Sequence, residues 1–278
     1  MALIVKRPWT SQPQVAARVD WGNPLNARIT HLLPLNGDPR EIVTGARLTY
    51  GAGGSSAVTT RGLALQGSGV AACASVPIDL SPYTKATVSF WMYWDAYAND
   101  DKFAMEYGAE FNTNSGFFID PNSGAPAAGQ VQCGVGSPGL VNAGQFARPS
   151  AANWHHYVFL FSRTTGAAIS TAVYVNGAAQ SVAASGSLND VADQFGNNLL
   201  YLFSRNNTSL FGAGRMQNLA IRGGYLMTAA EARQEYANPW QLFAPLPRRI
   251  WAPGVAGAPF KPAWAIGSNA VIGAGVMV

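Results

Sequence analysis

Length, composition and charge narrow the class of protein. With 278 residues, 30 glycines, 17 prolines, 48% hydrophobic and 12% charged residues, the chain favours one turn-rich β domain with extensions over a helical or disordered protein. The net charge of +4 lies at the ends, with four basic residues and one acidic residue in 1–30 and three basic residues in 237–278. Nucleic-acid binding needs clustered Lys and Arg, so this sparse charge fits contact with an acidic protein surface better.

The cysteines and the N-terminal sequence indicate the compartment in which the chain is made. The opening MALIVKRPWT lacks the apolar stretch and small-residue cleavage site of a secretory signal. We therefore expect synthesis in a reducing cytosol, with Cys73 and Cys133 as free buried thiols rather than a disulfide. No apolar run approaches the roughly 20 residues that span a bilayer, so membrane insertion is not expected.

Residues 1–27 form a predicted N-terminal arm. They contain three prolines and show no lasting period of 2 or 3.6 residues, which favours an extended segment. The arm carries Trp9 and Trp21, whose large apolar rings need cover from the chain's own domain or from a neighbour.

Residues 28–238 read as a β-sandwich. The run KATVSFWMYWDAY alternates, with Val88, Phe90, Met92 and Trp94 on one face and Thr87, Ser89, Trp91 and Tyr93 on the other, which is typical of a central strand. Further short β-prone runs follow at roughly 10 to 15 residues, each ending in Gly, Asn or Pro turns. This spacing predicts two antiparallel sheets, with strands at 86–95, 154–163 and 171–176.

Two short sequence patterns predict a specific turn and a specific helix start. Asn176 and Gly177 lie between apolar runs and predict a two-residue hairpin turn, since both positions of that turn need a positive φ. Thr228 and Glu231 fit a capping box, and Pro239 limits extension, so we predict a short helix at 229–236.

Residues 239–278 form a predicted C-terminal arm. Its prolines disfavour regular structure, yet its apolar rings must be covered, so we expect an extended arm that packs on the sandwich and on neighbouring subunits. The arm residues expected to make these contacts are Trp240, Arg248, Arg249, Trp251 and Trp264.

The candidate catalytic groups are few. Asp95, Asp100, Asp101, Glu106 and Glu110 do not alternate as a carboxylate pair on one strand would, so we read them as solvated loop and edge charges and expect no enzyme. Adjacent strand residues point to opposite faces, so His155 and His156 cannot chelate one metal together.

An exposed aromatic platform with amides could bind a glycan, and its candidates are Trp91, Tyr93, Tyr97, Asn112 and Asn114. The alternative for the aromatic residues is packing in the core.

Three segments in order carry a resemblance to a known family. TVSFWMYWDA, then NWHHYVFLFSRTTGAAISTAVYVNGAA, then LYLFSRNNTSLFGAGRMQNLAIRGGYLMTAAEARQEYANP resemble the laminin-G-like, concanavalin A-like jelly rolls over roughly residues 40–238. The resemblance implies a two-sheet antiparallel jelly-roll sandwich. It also implies a candidate calcium site at a sheet rim, formed by Asn99, Asp100 and Asp101. The alternative is that these residues are ordinary turn formers. We expect no required cofactor.

The two ends carry a second resemblance. RPWTSQPQ at the start and NPWQLFAPLPRRIWAP at the end resemble those members of the family that tailed bacteriophages and prophages encode. This implies a non-enzymatic virion structural protein, made in the host bacterial cytoplasm and assembled as a homo-oligomer with other phage virion proteins. We expect attachment to the tail or baseplate, with a host cell-surface glycan as receptor. The alternatives are a capsid decoration protein on the phage head and, from another class, a glycan-active hydrolase.

Overall fold

The structure is a computed structural model that describes residues 2–7, 10–13, 17–98, 100–124, 129–163, 169, 171–191 and 193–251. The described chain contains eighteen strands, a 3-10 turn and one α-helix. The strands are β1 (Ala2–Arg7), β2 (His31–Leu33), β3 (Thr49–Tyr50), β4 (Gly54–Thr59), β5 (Gly62–Ser68), β6 (Ala74–Asp79), β7 (Lys85–Trp94), β8 (Met105–Tyr107), β9 (Phe117–Asp120), β10 (Gln130–Ser137), β11 (Leu140–Ala147), β12 (Trp154–Ser162), β13 (Thr171–Val175), β14 (Ala178–Ala179), β15 (Ala183–Leu188), β16 (Asn197–Leu202), β17 (Ala213–Gly223) and β18 (Leu246–Trp251). The 3-10 turn is Pro24–Asn26, and the helix α1 is Ala229–Ala237.

Two eight-stranded antiparallel sheets form a sandwich, as predicted. The first sheet has the order β15-β11-β10-β9-β8-β16-β6-β3. The second has the order β14-β13-β12-β7-β17-β5-β4, and β2 also pairs with β17. The predicted strands are confirmed as β7, β12 and β13, and β12 pairs with β7 along its whole length.

The main core lies between the two sheets. Val88, Phe90, Met92 and Trp94 of β7 all belong to it, which confirms the predicted inner face of this strand. Cys73 and Cys133 are buried free thiols, also as predicted, and burial raises the pKa of both.

The outer face of β7 is buried as well, because α1 lies across the second sheet. Thr87 donates to the Tyr225 carbonyl at 2.8 Å, and Ser89 donates to Glu235 Oε1 of the helix at 2.6 Å. The helix begins with the predicted capping box, in which Thr228 and Glu231 satisfy each other's backbone N–H groups. The hairpin turn is confirmed too, since Asn176 has a φ of 51° and Gly177 a φ of 76°.

Residues 8–244 form one compact unit, and residues 1–7 with 245–278 form another. In the larger unit, inner segments of the two predicted arms cover the sheet beside β2 and β17. Val19 and Phe243 form a β-bridge there, and the cluster they belong to is buried: Val19, Ile29, Leu32, Ala220, Trp240, Leu242 and Phe243.

In the smaller unit, β1 pairs antiparallel with β18 over six residues, which we call the terminal ribbon. Trp9 and Trp264 lie outside the described residues, and Trp21 is exposed. No helix among the described residues has the length and apolar character of a membrane span.

Candidate ligand-binding site

Trp91 lies at the centre of the outer face of the second sheet. The strand register places His156 of β12 on one side of it and Gln217 of β17 on the other. The indole stacks on Tyr236 of α1 with ring centroids 5.7 Å apart, and its exposed fraction is only 6%. Trp91 is therefore packed between side chains and is not an exposed platform.

Arg61 lies over the ring of Trp91. It stands in the tight turn between β4 and β5, where Gly62 has a φ of 106° that a residue with a side chain rarely adopts. The Arg61 Cζ atom lies 3.6 Å from the centre of the Trp91 ring, 5.8 Å from that of Trp240 and 5.9 Å from that of Trp154. Three indoles thus surround one guanidinium, at the distances of cation–π contact.

Several buried polar atoms of this cluster have no hydrogen-bond partner among the described residues. Arg61 Nε and Nη2 are buried and have no hydrogen-bond partner among the described residues. The same holds for Trp91 Nε1, His156 Nδ1 and Gln217 Oε1 beside it. Since buried polar groups are nearly always hydrogen-bonded, unpaired donors and acceptors concentrated on one patch point to a polar ligand or ordered water.

A pocket of about 590 Å³ opens beside Arg61. We call it the Arg61 pocket, and its walls are Thr10, Ser11, Gln12, Val58, Thr60, Arg61, Gly62, Leu63 and Trp240. Gln12 is tied to the Leu63 backbone by two hydrogen bonds, so this part of the N-terminal segment forms one wall. Val58 is 87% exposed and Leu63 is 37% exposed, which leaves apolar surface at the rim.

The five residues predicted for glycan binding are not brought together. Tyr93 packs between Arg215 and Trp154, and Tyr97 lies under Arg148 beside the main core. Asn112 and Asn114 belong to the loop before β9 on the first sheet. Asn114 lines a separate groove of about 360 Å³ with Pro77, Ala109, Asn197, Asn198, Leu199 and Tyr201.

Sequence reasoning missed Arg61 and Gln217. The turn between β4 and β5 carried one usable signal, because Arg61 is the sole charged residue between positions 48 and 78. A lone cation in an apolar, glycine-rich hairpin suggests a specific role, but which ring it covers depends on pairing between distant strands.

A sequence profile of the concanavalin A-like lectin/glucanases superfamily, the Laminin G 3 family, matches residues 66–232. The chain belongs to this superfamily. No curated protein matches it significantly in sequence.

Several solved structures share this lectin-like fold. Domain 4 of AbnA, a GH43 extracellular arabinanase from Geobacillus stearothermophilus in complex with arabinotriose, has a TM-score of 0.56 at 17% identity over 74% of this chain and 97% of that one. The binding domain of Paraclostridial Mosquitocidal Protein 1 has a TM-score of 0.55 at 14% identity over 76% of this chain and 52% of that one. Trypanosoma rangeli sialidase has a TM-score of 0.52 at 14% identity over 75% of this chain and 32% of that one. The chain spans about half of the toxin domain and a third of the sialidase, and such identities show the shared fold alone.

The candidate calcium loop of this superfamily member is held by internal bonds. Asn99 lies outside the described residues, and Asp100 pairs with Lys102 at 3.1 Å. Asp101 accepts from the Gly124 N–H at 2.6 Å, and it approaches Asp120, whose pKa is raised to about 8, chiefly by burial. No group of three or more His, Cys, Asp or Glu side chains suited to a metal occurs in the described part of the chain.

Glu106 corrects one sequence prediction. It is fully buried rather than a solvated loop or edge charge, and its two oxygens accept from the Phe111 N–H at 3.1 Å and the Asn206 N–H at 2.8 Å. Burial raises the pKa of this carboxyl to about 7. Through these bonds it connects the loop between β8 and β9 with the loop between β16 and β17.

The two histidines lie on opposite faces of β12, as predicted. His155 contacts the Ser150 carbonyl and Asn176, while His156 is buried beside Glu235 with their nearest atoms 3.6 Å apart. Neither arrangement provides a shared metal site.

Proposed function

We propose that this chain is a non-enzymatic, glycan-binding structural protein of a tailed bacteriophage virion. In this proposal the jelly roll binds the glycan, and the two ends attach the protein to the tail or baseplate. The observation that carries the binding function is the Arg61 pocket, where unpaired polar atoms and indole rings meet beside an open volume.

The chemistry of the pocket suits a sugar. A sugar ring presents hydroxyl groups that donate and accept hydrogen bonds, together with apolar C–H faces that pack on aromatic side chains. Arg61 lines the pocket and carries two unpaired donors, which protein atoms cover, and Trp240 and Leu63 add apolar wall. The volume of the Arg61 pocket, about 590 Å³, lies within the range of small-molecule sites. The AbnA domain supports the proposal, because a domain of similar fold was solved in complex with arabinotriose.

The non-enzymatic part of the proposal rests on the carboxylates. Buried acids with a raised pKa are candidates for catalysis, and Glu106 and Asp120 have that property. However, backbone N–H groups already occupy Glu106 on both oxygens, and Asp120 accepts from the N–H groups of Lys102 and Asn122. These bonds favour loop closure as the role of both acids.

The virion role rests on the two chain ends. Their sequences resemble phage members of the superfamily, and the terminal ribbon pairs the first described strand with the last. Two strands alone are marginally stable in water, so a ribbon of this size gains from a further partner. A neighbouring virion subunit would supply one.

Binding to host cells tests the function. Purified protein should bind the surface polysaccharide of the host bacterium and leave its chain length unchanged, and Arg61→Gln should reduce binding at least tenfold. Arg28→Gln, which removes an exposed arginine, is the matched control and should bind as wild type. Cleavage of the polysaccharide that Glu106→Gln abolishes would replace this proposal with the hydrolase, and wild-type binding by Arg61→Gln would move the site elsewhere.

A further inference from the structure

Arg61 differs in its charge balance from the arginines of the described chain that form ion pairs. Five arginines of the described chain pair with a carboxylate: Arg40, Arg163, Arg205, Arg215 and Arg222. None of the ion pairs in the described chain includes Arg61, and Glu235, the buried acid of the neighbouring helix, is bound by Arg222 and Ser89. A partly desolvated cation therefore stands at the pocket wall without a counter-charge.

The guanidinium remains charged at neutral pH. Burial lowers its pKa only to about 10, well above the pH of a cell or culture medium. Stacking on Trp91 partly offsets the loss of hydration. What the site lacks is an anion that accepts from the guanidinium edge.

The identity of the free atoms specifies the shape of that anion. Nε and Nη2 form one edge of a guanidinium, and their N–H bonds point the same way, which suits the two oxygens of a carboxylate. Arg40 shows this arrangement within the same chain, because its Nε donates to Asp38 Oδ1 at 2.9 Å and its Nη2 to Oδ2 at 2.7 Å. In Arg61 the same two atoms are the unpaired ones.

We infer that the Arg61 pocket binds a sugar that carries a carboxylate, and that the Arg61 side chain, whose Nε and Nη2 are covered by protein atoms, turns so that these two atoms hold both carboxylate oxygens. The sugar ring then lies in the pocket against Trp240 and Leu63, with Thr60 and Ser11 near its hydroxyl groups. This inference rests on the proposed glycan-binding function and names the class of sugar, an acidic monosaccharide such as a hexuronic or nonulosonic acid. The ligand completes the ion pair that the chain itself leaves open.

Calorimetry with matched sugars tests the inference. The probes are the methyl glycosides of glucuronic, galacturonic and N-acetylneuraminic acid, each beside its methyl ester, which removes the charge and keeps the ring. Wild-type protein should bind at least one acid tenfold or more tightly than its ester. Arg61→Gln should abolish that preference, Arg61→Lys should retain only part of it because an ammonium lacks the paired edge, and Arg28→Gln should leave it unchanged.

The outcomes separate the two proposals. If acid and ester bind equally and Arg61→Gln has no effect, the carboxylate inference is wrong while glycan binding stands. If neither the acids nor the esters nor the host polysaccharide bind, both proposals fail. Inorganic phosphate is a further probe, and phosphate that binds more tightly than every sugar acid would assign the pocket to a phosphorylated ligand and overturn the inference. The melting temperature of each variant, within a few degrees of wild type, shows that the fold is retained.

Discussion

At the scale of single residues, buried charge is concentrated where helix α1 meets the second sheet. Arg222 donates from Nη2 to Glu235 Oε2 at 2.7 Å and from Nη1 to Ser89 Oγ at 3.1 Å. Although burial disfavours the carboxylate, Arg222 and His156 hold the pKa of Glu235 at about 2. Each charge is tolerated because the other is present, which makes the pair costly to break.

Removing one member of this pair should destabilise the fold strongly. Arg222→Met leaves Glu235 buried without its cation, and we expect a loss of about 3 to 5 kcal/mol in the free energy of unfolding. The double variant with Glu235→Leu should recover most of that loss, because it leaves neither charge buried. Urea denaturation of Arg222→Met, of Glu235→Leu and of the double variant measures these losses. If the loss in the double variant equals the sum of the two single losses, the pair is not coupled.

Glu106 should make stability depend on pH. Its folded pKa of about 7 lies above the roughly 4.3 of an exposed Glu, so between these values the folded state holds a proton that the unfolded state has released. Stability should therefore be highest below about pH 4.3 for this group and fall as the pH rises to about 7, by at most about 1.4 kcal/mol per pH unit. In Glu106→Gln the fall in melting temperature between pH 5 and 7.5 should be shallower, and an identical profile would assign the dependence to other groups.

The sequence predicts residue placement well where a strand alternates and poorly where the partner is distant. Alternation alone placed Phe90 and Met92 in the core, since a period of two follows from strand geometry. It could not show that Glu106 is buried or that Arg61 covers Trp91, because both depend on loops and strands far apart in the chain. The proposed binding site depends on such distant contacts, so the aromatic residues suggested from sequence included Trp91 but missed Arg61.

At the scale of elements, local sequence signals predicted more of the observed structure than the chain ends did. The capping box at Thr228 and the turn at Asn176–Gly177 each need only neighbouring residues, and both form as predicted. The prolines and tryptophans of the ends predicted extended segments that need cover. They did not show that Trp240 and Phe243 join a hydrophobic cluster with Leu32, which requires the tertiary position of β2.

The hydrophobic cluster that contains Trp240 and Phe243 determines how far the C-terminal end can be shortened without loss of stability. A chain of residues 8–244 keeps the cluster, and we expect its free energy of unfolding to match that of the full chain within about 1 kcal/mol. A chain of residues 8–238 loses Trp240, Leu242 and Phe243, three buried side chains whose removal costs several kcal/mol. Thermal unfolding of the two chains compares them directly, and equal melting temperatures would mean that the cluster adds nothing to stability.

At the scale of the whole molecule, the fold should not depend on a metal. Asp100 is paired with Lys102 and Asp101 with a backbone N–H, so the loop is closed without a cation. We expect EDTA to shift the melting temperature by less than about 2 °C, and added calcium to do the same. A rise of 5 °C or more with calcium, lost in Asp101→Asn, would instead establish a calcium site there.

A chain without the terminal ribbon allows assembly to be tested apart from folding. Residues 2–7 and 246–251 pair with each other in a compact unit of their own, so the 8–244 chain still contains every strand of the two large sheets. The 8–244 chain should therefore fold and keep sugar binding at the Arg61 pocket. If the ribbon is the attachment device of a virion protein, the same chain should be missing from assembled particles.

Mass spectrometry of separated phage heads and tails, from particles assembled with the full chain or with the 8–244 chain, measures that incorporation. The full chain should appear in the tail fraction, and recovery in the head fraction would favour the decoration role. A matched full-length control, Arg28→Gln, should incorporate as wild type, because it changes an exposed charge outside the ribbon. Should the shortened chain enter particles normally, the ribbon would have no role in assembly, since the two strands it lacks are those that the proposal assigns to the neighbouring subunit.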